Sequence, residues 1–319
     1  MAVGLLGAAV LSVFYYLAVR DYYQRHQPTS VYKPPRFLYP IIGDTFGRVV
    51  NPLGVYVAFG RLFITSGNGQ VAVTSREGGY YWSLKLAGGK TKTLGPSPRS
   101  VVLDRFGRIY VSAGPTNNIL VYEYNGNFRY SFPQRIAPAK DSRQVKGAKV
   151  LNPVGLGYFD GLLYVTDVGD QTIKKFTTTG RLVGKFGGPG ISPGKFSYPN
   201  GMARADDGTL YVADSNNSRV QVFGKDGRFL SYLVPPQEER FSLPRGIAID
   251  KLGRIHVVDT LKSRVFVFSR DHKFLFTYGA GQENEGDLAY PNGIFIDRDT
   301  GLIFIADRLN NRVAVWAEK

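Results

Sequence analysis

Two asparagines and two arginines occupy one position in near-copies of a short motif, and they are the residues of this 319-residue chain best suited to hold a ligand. Asn200 and Asn292 each stand in Pro-Asn-Gly, Arg99 in Pro-Arg-Ser and Arg245 in Pro-Arg-Gly. Amide oxygens can help ligate a divalent cation, but a calcium cage needs carboxylates or further oxygens around them. The remaining copies of the motif offer only Leu53 and Val154. A guanidinium, by contrast, is a fork of donors that matches a carboxylate or phosphate. The set predicts an anion-binding site with Arg99 and Arg245 as the forks, and no metal.

A second group of cations is local in sequence. Arg135, Lys140, Arg143, Lys146 and Lys149 crowd one segment, which reads as a docking loop for a polyanion: an acidic lipid surface, an acidic protein or nucleic acid. The plainer reading is a solvated insertion. Nucleophilic chemistry has no foothold here. There is no cysteine, and His26, His256 and His272 are the only histidines, with His256 expected to pack in a strand. No catalytic residue and no cofactor are expected.

The elements that must position these residues follow from the same motif. Pro52, Pro98, Pro153, Pro199, Pro244 and Pro291 are each followed, two residues on, by Gly or Ser and then an apolar residue. The intervals are 46, 55, 46, 45 and 47 residues, a blade-length period in a strand-rich chain. Each period holds alternating segments such as Thr209–Ala213, Arg219–Phe223 and Arg228–Tyr232, separated by turn residues, which predicts four short antiparallel strands. The fold class is all-β, a six-bladed β-propeller. The last period ends at Lys319 without an outer strand, and Arg36–Gly43 looks like Lys273–Gly279. That N-terminal strand is expected to close the ring and leave no open edge. Pro40 suits an outermost position, where a backbone donor can be spared.

Tyr211–Phe223, Val257–Phe268 and Ile305–Trp316 resemble the NHL-repeat family of six-bladed propellers, each with Asp and Arg five residues apart: Asp214/Arg219, Asp259/Arg264 and Asp307/Arg312. Recurrence in blade after blade marks a structural device that satisfies loop amides and pairs at turns. Ser66 and Ala113 replace the Asp in the first two blades, and Thr172 replaces the Arg in the third. The resemblance implies a binding platform. Related propellers include metal-dependent lactonases and lyases, and some NHL propellers bind RNA through a basic face, so a lactonase- or lyase-like enzyme at the channel and nucleic-acid binding through the basic loop are the alternatives.

Residues 2–19 form an almost uncharged apolar run, just long enough to cross a bilayer as a helix. With no basic segment before it and no cleavage motif, a retained anchor over 1–20 is expected, then a proline-rich spacer over 21–35 and the propeller over 36–319. Arg20, Arg25, Lys33 and Arg36 follow the run, and the positive-inside tendency favours the cytoplasmic side of the cell membrane for the propeller; the outer side is the alternative, since long domains can be translocated regardless of charge.

The net charge is +15, concentrated in residues 76–149 with 13 Lys and Arg against 4 Asp and Glu. The expected protein is a membrane-tethered, non-catalytic binding or scaffold propeller. Its expected partner is a protein, an anionic polymer or a lipid surface, met through the loop face between blades; nucleic acid is not favoured.

Overall fold

A computed structural model describes residues 33–42, 49–84, 86, 97–133, 149–280 and 285–318. The chain divides into two units, Met1–Pro34 and Pro35–Lys319, and the second holds every strand. Among the described residues no helix is long and apolar enough to cross a membrane. The apolar run 2–19 lies outside the described residues.

Strands of four to seven residues, rich in β-branched and aromatic side chains, pair into six four-stranded antiparallel sheets. In five of them the order in space is the order in sequence. The sixth joins Pro291–Asp297, Leu302–Asp307 and Arg312–Ala317 to Arg36–Ile42 from the start of the unit. Arg36 stands opposite Ala317 and Ile42 opposite Arg312, with a bulge between Phe37 and Tyr39. Phe37 meets Trp316 edge to face at 5.5 Å, so the ring is closed by its two ends as the sequence predicts.

Apolar side chains of adjacent sheets fill the wedges between blades. One such cluster joins Tyr211, Val220 and Val222 of the fourth blade to Ile255, Val257 and Phe266 of the fifth. The Pro-x-Gly motif is the matching device at the hub. A Cβ on Gly155 would lie 2.3 Å from the Asn200 carbonyl oxygen, and one on Gly201 2.3 Å from that of Arg245. Glycine is therefore needed because the next inner strand passes where a side chain would stand. In the second blade Ser100 takes the glycine's place, and its hydroxyl accepts the Leu156 N–H at 3.3 Å.

Each inner strand starts at one face, here the upper face, and runs to the other. Since neighbouring strands are antiparallel, the turns between second and third strands and the connections between blades share that upper face.

Candidate functional site

The inner strands surround a channel of about 540 Å³. Arg99, Asn200, Arg245 and Asn292 all line it, because each follows the proline that opens an inner strand at the upper face. Arg308 and Tyr198 join them, and the Tyr290 ring lies behind, against Arg308. Arg308 occupies the position after the blade aspartate, where Ser215 and Thr260 stand in the fourth and fifth blades. Those hydroxyls donate to the Pro244 and Pro291 carbonyls at 2.6 and 2.7 Å.

Arg99 Nη1 donates to the Tyr198 hydroxyl at 3.4 Å, and the absence of a Cβ at Gly114 leaves room for its guanidinium, 3.0–3.2 Å from where that atom would be. The guanidinium carbons of Arg245 and Arg308 lie 5.6 and 5.7 Å from the centre of the Tyr290 ring, a cation–π arrangement that orients both. Nε of Arg245 and Nε of Arg308 are buried without a hydrogen-bond partner. Burial, opposed by Tyr290 and Tyr198 and reinforced by Arg308 and Arg99, lowers the pKa of Arg245 from its ordinary value. Among the described residues no Asp or Glu lines the channel. At its lower end Arg204 and Arg298 are neutralised by Asp160 at 2.6 Å and Asp206 at 2.8 Å. The three upper arginines have no such carboxylate among the described residues.

The backbone holding this mouth is strained and then pinned. Tyr198 and Tyr290 precede prolines yet take φ of 61° and 55°, left-handed values that are unfavourable for a bulky residue. The Tyr198 N–H donates to Gln171 Oε1 at 2.6 Å. The buried blade aspartates hold the neighbouring residues: Asp214 accepts the Ser197 N–H at 2.7 Å, Asp307 the Ala289 N–H at 2.7 Å, and Asp259 the Leu243 N–H at 3.0 Å. Asp214 and Asp307 also pair with Arg219 and Arg312, both at 2.7 Å. The expected third pair does not form. Arg264 turns to Glu239 at 3.2 Å, carried into reach by the short 3-10 turn Gln237–Glu239. In the third blade, where Thr172 breaks the pattern, Lys174 pairs with Asp167.

Of the predicted basic loop, Lys149 is exposed just before the third inner strand. Arg135, Lys140, Arg143 and Lys146 lie outside the described residues. Exposed apolar residues on the upper face were not foreseen: Leu151, Ile191, Val234, Leu261 and Leu309 are exposed in its turns and connections, and Ile42 at the end of the closing strand.

A metal does not suit the channel's donors, since two neutral amides stand among cations there. The one carboxylate–imidazole cluster among the described residues, Asp250, His256 and Glu318, lies between the last two blades. Asp250 and His256 are engaged by each other and by neighbouring side chains. Arg254 donates to Asp250 and pairs with Glu318 at 3.2 Å, and His256 Nε2 is 3.2 Å from Asp250 and Nδ1 3.2 Å from the Tyr278 hydroxyl. His256 is wholly buried, as a packed strand residue.

Residues 196–223 match the NHL repeat, which with the six-bladed architecture supports the resemblance read from the sequence. Two curated relatives match over 45 residues: B-box type zinc finger protein ncl-1 of Caenorhabditis elegans, 51% identical over 14% of this chain and 5% of that protein, and protein brain tumor of Drosophila melanogaster, 47% identical over 14% and 4%. The match thus spans about one-twentieth of either relative. Among solved structures, a streptogramin B lyase superposes with TM-score 0.63 at 15% identity, covering 89% of this chain and 98% of that one. Virginiamycin B lyase from Staphylococcus aureus gives 0.61 at 12% identity, covering 88% and 99%. At such identities the likeness is one of fold.

Proposed function

We propose that the protein is a membrane-tethered, non-catalytic binding module whose upper face docks an acidic partner protein, with an anionic group of that partner seated in the arginine mouth. The observation that carries this reading is the convergence of Arg99, Arg245 and Arg308 on a channel that has no carboxylate among its described lining residues. Uncompensated, partly buried cations are costly in the empty protein, and an oxyanion from outside supplies the missing charge. The exposed aliphatics on the upper face add non-polar contact area of the kind that interaction surfaces use. The apolar run 2–19 would supply the tether, with the propeller on the cytoplasmic side, and the basic residues from Arg135 to Lys149 a further contact for acidic surfaces.

The test is fluorescence anisotropy of a labelled acidic peptide on the full chain in detergent. Binding is expected for the unaltered protein and for Arg298→Met at the opposite end. Loss is expected when Arg99, Arg245 and Arg308 are all replaced by Met. Equal binding by the triple variant would refute the assignment. No specific observation favours the hydrolase or lyase reading or nucleic-acid binding.

A further inference from the structure

The chemistry of the mouth specifies its anion more closely than charge alone. Around one opening stand three guanidiniums, two side-chain amides and a tyrosine hydroxyl: Arg99, Arg245, Arg308, Asn200, Asn292 and Tyr198. Nearly all of this capacity is donor capacity. An arginine has five N–H groups and no acceptor. The Tyr198 oxygen already accepts from Arg99, leaving its proton to point elsewhere, and no partner for the amides of Asn200 or Asn292 occurs among the described residues. A carboxylate brings two oxygens and one negative charge. It would leave most of these donors without an acceptor and two of the three positive charges unbalanced. A tetrahedral group with three terminal oxygens and two charges comes closer on both counts, leaving one positive charge in place of two.

From this geometry we infer that the arginine mouth is a receptor for a phosphate monoester. The inference rests on the anion-docking reading above and narrows it. It requires no chemistry on the ester: the site holds a charge and directs hydrogen bonds. Tyr290 contributes by fixing two of the forks, since its ring lies against both Arg245 and Arg308. Its left-handed backbone, φ 55°, is the conformation that brings the ring to that place.

The experiment is calorimetric titration of the full chain in detergent with phenyl phosphate and, separately, with benzoate, at fixed ionic strength. Phenyl phosphate is expected to bind at least tenfold more tightly. Its affinity should rise between pH 5 and 7, as the ester takes its second charge near a pKa of about 6, while sulfate, dianionic throughout, should bind equally at both. Arg245→Lys keeps the charge and loses the fork, and should weaken phenyl phosphate roughly tenfold. Arg298→Met should leave it unchanged. A phosphoserine peptide and its glutamate counterpart form a second arm: a tighter phosphoserine peptide places the ester on a protein, whereas tight phenyl phosphate with equal peptides places it on a free small molecule. Benzoate binding as tightly as phenyl phosphate would overturn the phosphate assignment and leave the anion mouth standing. Failure of both to bind, or binding indifferent to Arg245→Lys, would overturn the two together.

Discussion

Arg245 and Arg308, from different blades, rest against one aromatic ring, with guanidinium carbons 5.6 and 5.7 Å from the centre of Tyr290. Like charges held this close, with no carboxylate among the described lining residues, repel one another.

The first consequence concerns stability without ligand. Arg245→Met removes a cation whose charge is disfavoured by burial and by Arg308 and Arg99, at the cost of one cation–π contact. We expect the anion-free protein to gain about 1 kcal/mol, measured as a rise in the denaturant midpoint. A loss of similar size would mean that Arg245 serves the fold.

The hub glycines make a sharper structural prediction. Alanine at Gly201 would put its Cβ 2.3 Å from the Arg245 carbonyl oxygen, so the inner strands must separate. The expected cost is about 3 kcal/mol, and anion binding should fall with it because Arg245 moves. Gly60 is the control: its φ is +73° with nothing within 4 Å, and alanine there should cost about 1 kcal/mol. Equal costs in thermal unfolding would refute the close-approach account.

Asp214 is fully buried and accepts from Ser197 N, Asn217 Nδ2, Arg219 Nε and Gln221 Nε2 at 2.7–3.0 Å. Asp214→Ala strands those donors and should destabilise by about 3–5 kcal/mol. Asp214→Asn keeps an acceptor and should cost less. Since Ser197 leads into Tyr198 and Asn200, a folded Asp214→Asn should also bind anions more weakly, although Asp214 does not line the channel. Unchanged affinity in that variant would separate the aspartate from the site.

How much of this could be read from residues alone divides along physical lines. Period-two alternation and the Pro-x-Gly recurrence made the strands, the blade number and the closing strand legible, because each is a local pattern repeated around the ring. Position two of that motif delivered Arg99, Asn200, Arg245 and Asn292 to the channel. Arg308 lay outside the motif, in a turn where the fourth and fifth blades use Ser215 and Thr260. The tyrosines were hidden by backbone conformation: a residue before proline is expected to be extended, and Tyr198 and Tyr290 are left-handed. The tetrapeptide Tyr-Pro-Asn-Gly, present at 198–201 and 290–293, was the available signal. Arg264 could not be assigned from spacing, since its spacing from Asp259 matches the pairs that do form. Only the 3-10 turn that brings Glu239 near decides it.

Acid should weaken the last two blades through His256. Burial lowers this imidazole's pKa from its ordinary value, while hydrogen bonds from His256 and Arg254 hold Asp250 low despite its own burial. The native histidine therefore resists a proton that the unfolded one takes below about pH 6.5. Its contribution is full above that pH and is lost progressively as pH falls from there through the lowered native pKa. Burial and Asp250 raise the pKa of Glu318, giving a contribution of opposite sign that is present at low pH and lost as pH rises. Comparison with His256→Gln isolates the histidine. The melting temperature of the unaltered protein should fall more between pH 7.5 and 5.5 than that of the variant; identical slopes would show that His256 does not carry the effect.

The most direct test of the anion mouth is thermal unfolding of the full chain in sulfate against chloride at equal ionic strength, repeated with Arg245 and Arg308 both replaced by Met. Sulfate at a hundred times its dissociation constant should stabilise the unaltered protein by about 2.7 kcal/mol beyond the general sulfate effect, and the variant should show the general effect alone. An equal sulfate-specific gain in both proteins would contradict the account, because the anion would then be held elsewhere.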